Sequence, residues 1–161
     1  MAITVGSKLP AAPASVWETS PENAVIIPTS GKVVIVGVPG AFTPPCSSQV
    51  PGYISNASAF KAKGVTGIYV VAVNDVFVVE AWKKSLLAGK ESDDCVHFLA
   101  DSTGEYIKAL GMGFDASGLL GNTRSKRFVA TVEDGVVKTV VVEDEVPQVT
   151  VTAADKVLEN L

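Results

Sequence analysis

Two runs of β-branched, apolar residues place the strongest limit on how this chain can fold. The run KVVIVGVP covers residues 32 to 39, and the run GIYVVAV covers residues 67 to 73. Both are apolar at successive rather than alternate positions, which is the pattern of strands buried on both faces. A sheet that is covered on both faces needs helices on each side. The two runs therefore predict an α/β domain with these strands at its centre.

Further elements follow from the same kind of pattern. Shorter strands are predicted at residues 24 to 28 and 96 to 100, each bounded by turn-forming residues. The predicted helices cover residues 47 to 64, 75 to 89 and 104 to 112. Pro51 should kink or interrupt the first helix, because proline has no N–H to donate. Asp75 should cap the second helix at its N-terminus.

The last third of the chain carries a different pattern. Residues 127 to 143 alternate as two strands around Asp134-Gly135, a dipeptide typical of a β-hairpin turn. A final helix is predicted after them, with Thr152 and Asp155 in the spacing of a capping box. The order of parallel strands first and an antiparallel hairpin later predicts a thioredoxin-like fold, a central mixed sheet flanked by helices.

The size of the chain suits one domain. Its 161 residues contain no internal repeat, low-complexity tract or linker, so we expect a single domain over residues 1 to 161. The 13 basic and 17 acidic residues give a net charge of −4, and neither sign forms a block. Nucleic acid is therefore not an expected partner. No apolar run approaches the roughly 20 residues of a membrane span, and the N-terminus does not have the pattern of a signal peptide. We expect a cytoplasmic protein.

The segment GVPGAFTPPCSSQVPGY, residues 37 to 53, holds the chemistry of the chain. Cys46 follows a buried strand and begins a helix, where free N–H groups and the helix dipole favour a thiolate over a thiol. Thr43 lies three residues earlier and can aim its hydroxyl at a group that approaches the sulfur. Three prolines stiffen the loop. A lone cysteine is usually a small buried apolar residue, but this cluster favours a reactive one.

Pro39, Thr43 and Cys46 form a Pro-x-x-x-Thr-x-x-Cys motif, and the segment around it resembles the type II or type V branch of the peroxiredoxins. The closest likeness is to fungal members once described as peroxisomal membrane proteins, which leaves a peroxisomal association open. Similarity extends over nearly the whole chain, in stretches such as AVNDVFVVEAW, FLADSTGEYIKALG, RSKRF and VEDGVVKTVVVE.

The resemblance implies a thiol peroxidase without metal or other cofactor, usually a homodimer. Cys46 would attack hydrogen peroxide or an alkyl hydroperoxide and become a sulfenic acid. Thr43 would orient the peroxide and Pro39 would shield the pocket. Arg124, in the RSKRF stretch, would stabilise the thiolate and the departing oxygen; outside the motif it would be read as part of a solvated basic turn with Lys126 and Arg127.

Two residues depart from the branch pattern. Gln49 stands where the branch usually has histidine, and an amide does not titrate. Pro45 stands where the branch offers a backbone N–H to the peroxide, and proline has none. An alternative is therefore a protein of the same fold with weak or no peroxidase activity that acts as a holdase-type chaperone.

Turnover also needs a reductant for the oxidised sulfur. Branch members with a resolving cysteine carry it at positions that correspond to Val70 or Val151 here, so we expect a one-cysteine mechanism with an external thiol such as thioredoxin, glutaredoxin or glutathione. Cys95 is better explained as a structural cysteine than as a resolving one. His97, the only histidine, is predicted to be a partly buried strand residue and not a metal ligand. Trp17 and Trp82 are expected in the core or at a dimer interface.

Overall fold

The computed structural model describes residues 2–91 and 93–161. The strands are β1 (Val16–Glu18), β2 (Lys32–Val38), β3 (Val65–Ala72), β4 (Val96–Asp101), β5 (Gly113–Asp115), β6 (Thr123–Ser125), β7 (Phe128–Glu133) and β8 (Val136–Val142). The helices are α1 (Pro44–Ser55), α2 (Ala57–Ala62), α3 (Val76–Leu87), α4 (Glu105–Ala109), α5 (Ser117–Leu120) and α6 (Ala154–Glu159).

Six strands form one mixed sheet in the order β1-β4-β3-β2-β7-β8. Strands β2, β3 and β4 run parallel, while β1, β7 and β8 pair antiparallel to their neighbours. The predicted thioredoxin-like fold with a mixed central sheet is thus confirmed. Strand β2 lies between β3 and β7, which places the residues that follow it near the middle of one edge of the sheet.

Strand β2 is buried on both faces, as its unbroken apolar run predicts. Val34, Val36 and Val38 pack in one core cluster, which includes residues of α1, α2, α3 and α6. Val33 and Ile35 face the other cluster, which is completed by α4 and the N-terminal segment. Successive residues therefore enter opposite cores, and neither face of the strand reaches solvent.

The hairpin and the cap of α3 are confirmed. Asp134 and Gly135 have φ of 49° and 77°, the left-handed values that the predicted two-residue turn requires. Residue Asp75 accepts a hydrogen bond at 2.9 Å from the backbone N–H of Val78, so it caps α3 as predicted. Trp82 lies in the core, and Trp17 packs against it while partly buried.

The predicted strand at 24 to 28 is wrong. Ala24 makes a single bridge to Trp17, and the short edge strand is instead β1, Val16–Glu18. Ile26 is 89% exposed, so this segment does not carry the continuous burial that its apolar composition suggests. Val25 donates its amide to the carbonyl of Val16 in β1 at 3.1 Å, and the pairing does not continue to residues 26 to 28.

Two helix predictions need correction. The break in the first helical segment lies at Asn56 and not at Pro51, which is accommodated inside α1. Asn56 ends α1 because its side-chain amide donates to the carbonyl oxygen of Gly52 at 2.7 Å. The capping box at α6 is absent: Ala153 is the N-cap, and the hydroxyl of Thr152 donates to Glu143.

The segment that joins α4 to β7 was not predicted to be structured. Its strands β5 and β6 form a separate two-stranded ribbon, with α5 between them. The ribbon positions Arg124 opposite Phe114, and the chain then turns into β7. This path separates the two arginines of the RSKRF stretch.

Candidate active site

Cys46 lies in the first turn of α1, directly after the loop that follows β2. Pro44 and Pro45 fill the first two positions of the helix, where a backbone N–H would have no partner within the helix. The sulfur is fully buried. Ser47 donates its amide to Thr43, whereas the amide of Cys46 has no acceptor in the part of the chain that the structure describes. This amide is a free donor beside the sulfur.

Arg127 is the arginine that contacts the sulfur. Its Nη1 lies 3.3 Å from Cys46 Sγ and 2.7 Å from Oε1 of Gln49, and its Nε donates to the carbonyl of Val146 at 3.0 Å. The side chain is only 2% exposed. The guanidinium thus lies against the sulfur in a buried site, where the low local dielectric strengthens its attraction for negative charge.

Arg124 does not contact the sulfur, so the structure corrects the choice between the two arginines. Its Nη1 donates to the carbonyl of Pro39 at 3.2 Å, and its Nε donates to Asn122 at 2.6 Å. The reason is the register: Phe128 pairs with Gly37 at the end of β2, which brings the preceding Arg127 beside α1. Arg124, three residues earlier, lies on the ribbon over the loop.

The loop from Pro39 to Thr43 is held by several contacts. The Thr43 hydroxyl donates to the carbonyl of Gly40 at 2.8 Å, which leaves its oxygen lone pairs available to accept a proton donor. Asn74 accepts from the amide of Ala41 at 2.9 Å. A Cβ on Gly40 would lie 2.7 Å from Arg124 Nη1, so a side chain there would displace the end of this arginine.

A cleft of about 600 Å³ opens over this loop. Two of the predicted site residues, Pro39 and Thr43, line the cleft together with Arg127, and apolar side chains form most of the remaining wall. Its lining includes Pro39, Thr43, Pro44, Pro45, Phe114, Leu119, Leu120, Arg127, Val146 and Pro147. The structure thus brings together Pro39, Thr43 and Arg127 around the start of α1. The apolar wall can contact the organic part of a ligand larger than hydrogen peroxide.

Gln49 and Tyr53, on the buried face of α1, both bind the C-terminal segment. Gln49 Nε2 donates to the carbonyl of Thr152 at 3.2 Å, and the Tyr53 hydroxyl donates to the same oxygen at 2.5 Å. Burial and the nearby carboxylates of Asp155 and Glu143 raise the pKa of Tyr53. The tyrosine therefore stays protonated and acts as a donor.

Sequence reasoning missed Glu143. Its carboxylate accepts hydrogen bonds from Thr150 and Thr152, and its side chain is buried. Burial alone would raise the pKa of Glu143, but the four hydrogen bonds from the two threonines outweigh it and lower the pKa. Position 143 ends a strand in the sequence, and nothing local to it indicates that residues seven to nine positions later fold back onto it.

Cys95 lies far from Cys46. It precedes β4, where the parallel strands begin, whereas Cys46 follows β2, where they end. The two ends of these strands are about 20 Å apart, whereas the Cα atoms of a disulfide lie within about 7 Å of each other. Burial raises the pKa of Cys95, with Asp93 adding to the shift. The distance argues against a disulfide with Cys46, and the raised pKa of Cys95 favours an unreactive thiol.

His97 is a partly buried residue of β4, as predicted. Its Nδ1 lies 2.9 Å from a carboxylate oxygen of Glu18, and its ring stacks on Tyr69 with a centroid distance of 4.7 Å. Within residues 2–91 and 93–161, no three His, Cys, Asp or Glu side chains are grouped as metal ligands. Over the same residues, every helix is too short or too polar to cross a bilayer.

Comparisons with known proteins agree with the geometry around Cys46. Residues 4–158 match the Redoxin family. A Schizosaccharomyces pombe protein named peroxisomal membrane associated protein 20 is 60% identical over 159 residues, which cover 99% of each chain. Peroxiredoxin-2C of Oryza sativa subsp. japonica is 48% identical over 131 residues, 81% of this chain and 78% of that protein.

A solved structure gives the same result for the fold. Reduced Prx3 of Vibrio vulnificus, described in complex with H2O2, superposes with a TM-score of 0.83 at 38% identity and covers 99% of both chains. The family match spans nearly the entire sequence, and relatives that are 48% and 44% identical to the chain are named peroxiredoxins. The chain therefore belongs to the redoxin family and, within it, to the type II and type V peroxiredoxins, a group of thiol peroxidases.

Proposed function

We propose that Cys46 is the nucleophile with which this thiol peroxidase reduces hydrogen peroxide or an alkyl hydroperoxide. The observation that carries the proposal is the 3.3 Å contact between Arg127 Nη1 and Cys46 Sγ in a buried site. The thiolate attacks one peroxide oxygen, and an S–O bond forms as the O–O bond breaks. Sulfur is oxidised to sulfenic acid, and the other oxygen takes up a proton and leaves as water or an alcohol.

Three groups would assist this step. Arg127 stabilises the thiolate and then the negative charge on the leaving oxygen. The amide of Cys46 is free to donate to the peroxide, and Thr43 can accept a hydrogen bond from its O–H. Pro39 forms part of the cleft wall that shields the reacting atoms. The role proposed for Arg124 is to hold the loop in place, through its hydrogen bond to the carbonyl of Pro39.

The departures at positions 45 and 49 are compatible with this role. Pro45 lacks an N–H, but the next residue supplies a free one beside the sulfur. Gln49 does not titrate, but its carbonyl oxygen accepts from Arg127 and fixes that side chain. The chaperone alternative was motivated by these two residues, and no contact around them favours it over peroxide reduction.

The reductant is proposed to be an external thiol. Cys95 lies at the other end of the sheet, and valine occupies positions 70 and 151, where the resemblance to the peroxiredoxin branch would place a resolving cysteine. A small thiol such as glutathione, or the cysteine of a thioredoxin or glutaredoxin, would attack the sulfenic sulfur through the cleft. The sulfenic oxygen would then leave as water, and a mixed disulfide would remain for a second thiol to reduce.

We also propose a homodimer, with the peroxide cleft near its interface. Leu119, on the cleft wall, is 86% exposed, and Phe42 beside Thr43 is 52% exposed. Phe77 is 70% exposed at the start of α3, close to the loop that Asn74 holds. Large apolar side chains that cluster on a surface are typical of association sites. Sedimentation of the wild type and Leu119→Glu as monomers alike would contradict this assembly.

The cellular location is proposed as the cytoplasm, with a peroxisomal association suggested by the S. pombe relative, whose name places it at the peroxisomal membrane. Fluorescence microscopy of the tagged chain beside a peroxisomal marker tests the location. A signal confined to any other organelle would contradict the proposal.

The decisive experiment follows the oxidation of Cys46 directly. Reduced protein is mixed with less than one equivalent of hydrogen peroxide, and intact mass spectra are recorded for the wild type, Cys46→Ser and Cys95→Ser. One added oxygen is expected on the wild type and on Cys95→Ser, and none on Cys46→Ser. A Cys46 that reacts no faster than free cysteine would refute the proposal.

A further inference from the structure

Glu143 is a buried carboxylate that none of the proposed chemical steps uses. Glu143 is 8% exposed and directly follows β8. Its amide donates to the carbonyl of Arg127 at 3.0 Å, which is the last main-chain hydrogen bond between β8 and the strand beside it. Its two oxygens accept four hydrogen bonds, from the amide and hydroxyl of Thr150 at 2.7 and 2.5 Å and from those of Thr152 at 2.9 and 2.6 Å. Such charge-assisted bonds fix the segment from residue 150 to 152.

That segment presents the oxygen that holds the active-site glutamine. The carbonyl of Thr152 accepts from Gln49 Nε2, and the opposite end of the same amide accepts from Arg127 Nη1. The contacts thus form a closed ring from Arg127 through Gln49, Thr152 and Glu143 back to the main chain of Arg127. Each member of the ring is held by its neighbours on both sides.

The ring determines the orientation of an amide. An amide group has a donor end and an acceptor end, so the bond from Gln49 Nε2 to Thr152 directs Oε1 towards Arg127. Without a fixed carbonyl at residue 152, the glutamine loses the bond that selects this orientation. Arg127 Nη1 then loses the acceptor that keeps it within reach of the sulfur.

We propose that Glu143 is a positioning residue of the peroxide site, which acts through the Thr152 carbonyl and Gln49 to hold Arg127 against Cys46. The inference rests on the proposed role of Cys46 as the nucleophile. Glu143 does not touch the peroxide. Its effect is on the placement of the guanidinium, so it should appear in peroxide reduction more than in the general reactivity of the thiol.

A purely structural role for Glu143 makes a different prediction. If the carboxylate only stabilises the C-terminal segment, its loss should lower stability without a selective effect on the reaction with peroxide. Asp101 supplies a matched control, because it is also a buried carboxylate and accepts from the amides of Tyr106 and Ile107 at 3.2 and 2.8 Å. It lies at the C-terminus of β4, and its contacts are with α4.

The experiment measures two rates for each variant at a temperature at which circular dichroism shows all variants to be folded. One is the stopped-flow rate of Cys46 oxidation by hydrogen peroxide, and the other is its alkylation by iodoacetamide, which has no charged oxygen to stabilise. The single variants are Glu143→Ala, Glu143→Gln, Gln49→Ala, Asp101→Ala and Thr152→Val. A double variant combines Glu143→Ala with Gln49→Ala.

Glu143→Ala is expected to slow oxidation by roughly tenfold to a hundredfold and alkylation by a clearly smaller factor, because the arginine acts on the thiolate in both reactions but on a leaving oxygen only in oxidation. Glu143→Gln should retain most of the rate, because its amide nitrogen can donate to the Thr150 hydroxyl while its oxygen keeps the other bonds. Asp101→Ala should react as the wild type does. In the Gln49→Ala background the loss of Glu143 should add little, since both act on one arginine.

The opposite results would overturn the inference. These are a Glu143→Ala protein oxidised at the wild-type rate, equal slowing in Asp101→Ala, or losses from Glu143→Ala and Gln49→Ala that multiply. If Glu143→Ala does not fold, Thr152→Val carries the test, because it removes one donor to Glu143 and keeps the carbonyl; an unchanged ratio of the two rates would then refute the role. A wild type that is itself no faster than free cysteine refutes the proposed function instead.

Discussion

Arg127 and Arg124 lie three positions apart and have different surroundings. Arg127 is buried and shares its Nη1 between a sulfur atom and an amide oxygen, whereas Arg124 is half-buried and binds main-chain carbonyls and Asn122. The motif around Cys46 was enough to identify Cys46, Thr43 and Pro39 as site candidates. It was not enough to select the arginine, because that depends on the pairing of Phe128 with Gly37, which no local pattern indicates.

Replacing each arginine by methionine separates the two roles. Arg127→Met should slow Cys46 oxidation by at least about a hundredfold, since it removes the charge that stabilises the thiolate and the leaving oxygen. Arg124→Met should have a smaller effect, through the loop that it holds. Competition of each variant with catalase for hydrogen peroxide measures both rates. Equal losses in the two variants would contradict this division of roles.

At the scale of elements, long apolar strands and the hairpin turn were predictable, and short elements were not. Unbroken apolar runs predict strands β2 and β3, and the dipeptide Asp134-Gly135 predicts the hairpin turn. The three-residue strands β1, β5 and β6 are too short to show a period. The segment after β8 is held by Glu143, which is a long-range contact that local sequence does not reveal.

The hydrogen bonds between Glu143 and the segment after β8 predict a pH dependence of stability. The folded state lowers the pKa of Glu143, so its carboxylate stabilises the fold above the ordinary glutamate pKa of about 4.3. This stabilisation is lost as the pH falls through the lowered folded value. At neutral pH, Glu143→Gln should therefore lower the free energy of unfolding by about 1 kcal/mol, and the gap should shrink in acid.

Asp101 provides a control whose contribution to stability should change with pH in the opposite direction. Burial raises the pKa of Asp101 in spite of the hydrogen bonds from α4, so the folded state binds its proton more tightly than the unfolded state does. The stability of the wild type relative to Asp101→Asn should therefore increase as the pH falls. Urea unfolding at neutral pH and at about pH 3.5 measures both gaps. A Glu143→Gln gap that widens in acid would contradict the assignment.

At the scale of the whole molecule, the parallel strands place the two cysteines at opposite ends of the sheet. Cys46 begins α1 beyond the end of β2, and Cys95 is buried before the start of β4. The fold class was predictable because the order of strands and helices fixes which ends of the strands meet. The distance between the cysteines follows from that order alone.

Oxidation should therefore form no disulfide within the chain. After one equivalent of hydrogen peroxide, without added thiol, we expect Cys46 as sulfenic acid and Cys95 still reduced, because burial keeps Cys95 in the thiol form. Dimedone labelling followed by peptide mass spectrometry under non-reducing conditions measures both. A peptide that joins Cys46 to Cys95 in protein that migrates as a monomer on a non-reducing gel would show a disulfide within one chain, and its appearance would contradict the one-cysteine mechanism.

The separation of the two thiols also leaves the oxidised sulfur open to a second peroxide. One peroxide takes two electrons from Cys46, and with Cys95 out of reach the sulfenic acid persists until a thiol from outside reduces it. A second peroxide that arrives first converts the sulfenic acid to a sulfinic acid, which ends turnover. Reduction by the external thiol therefore competes with oxidation by the next peroxide. The number of turnovers before inactivation should fall as the ratio of thiol to peroxide falls.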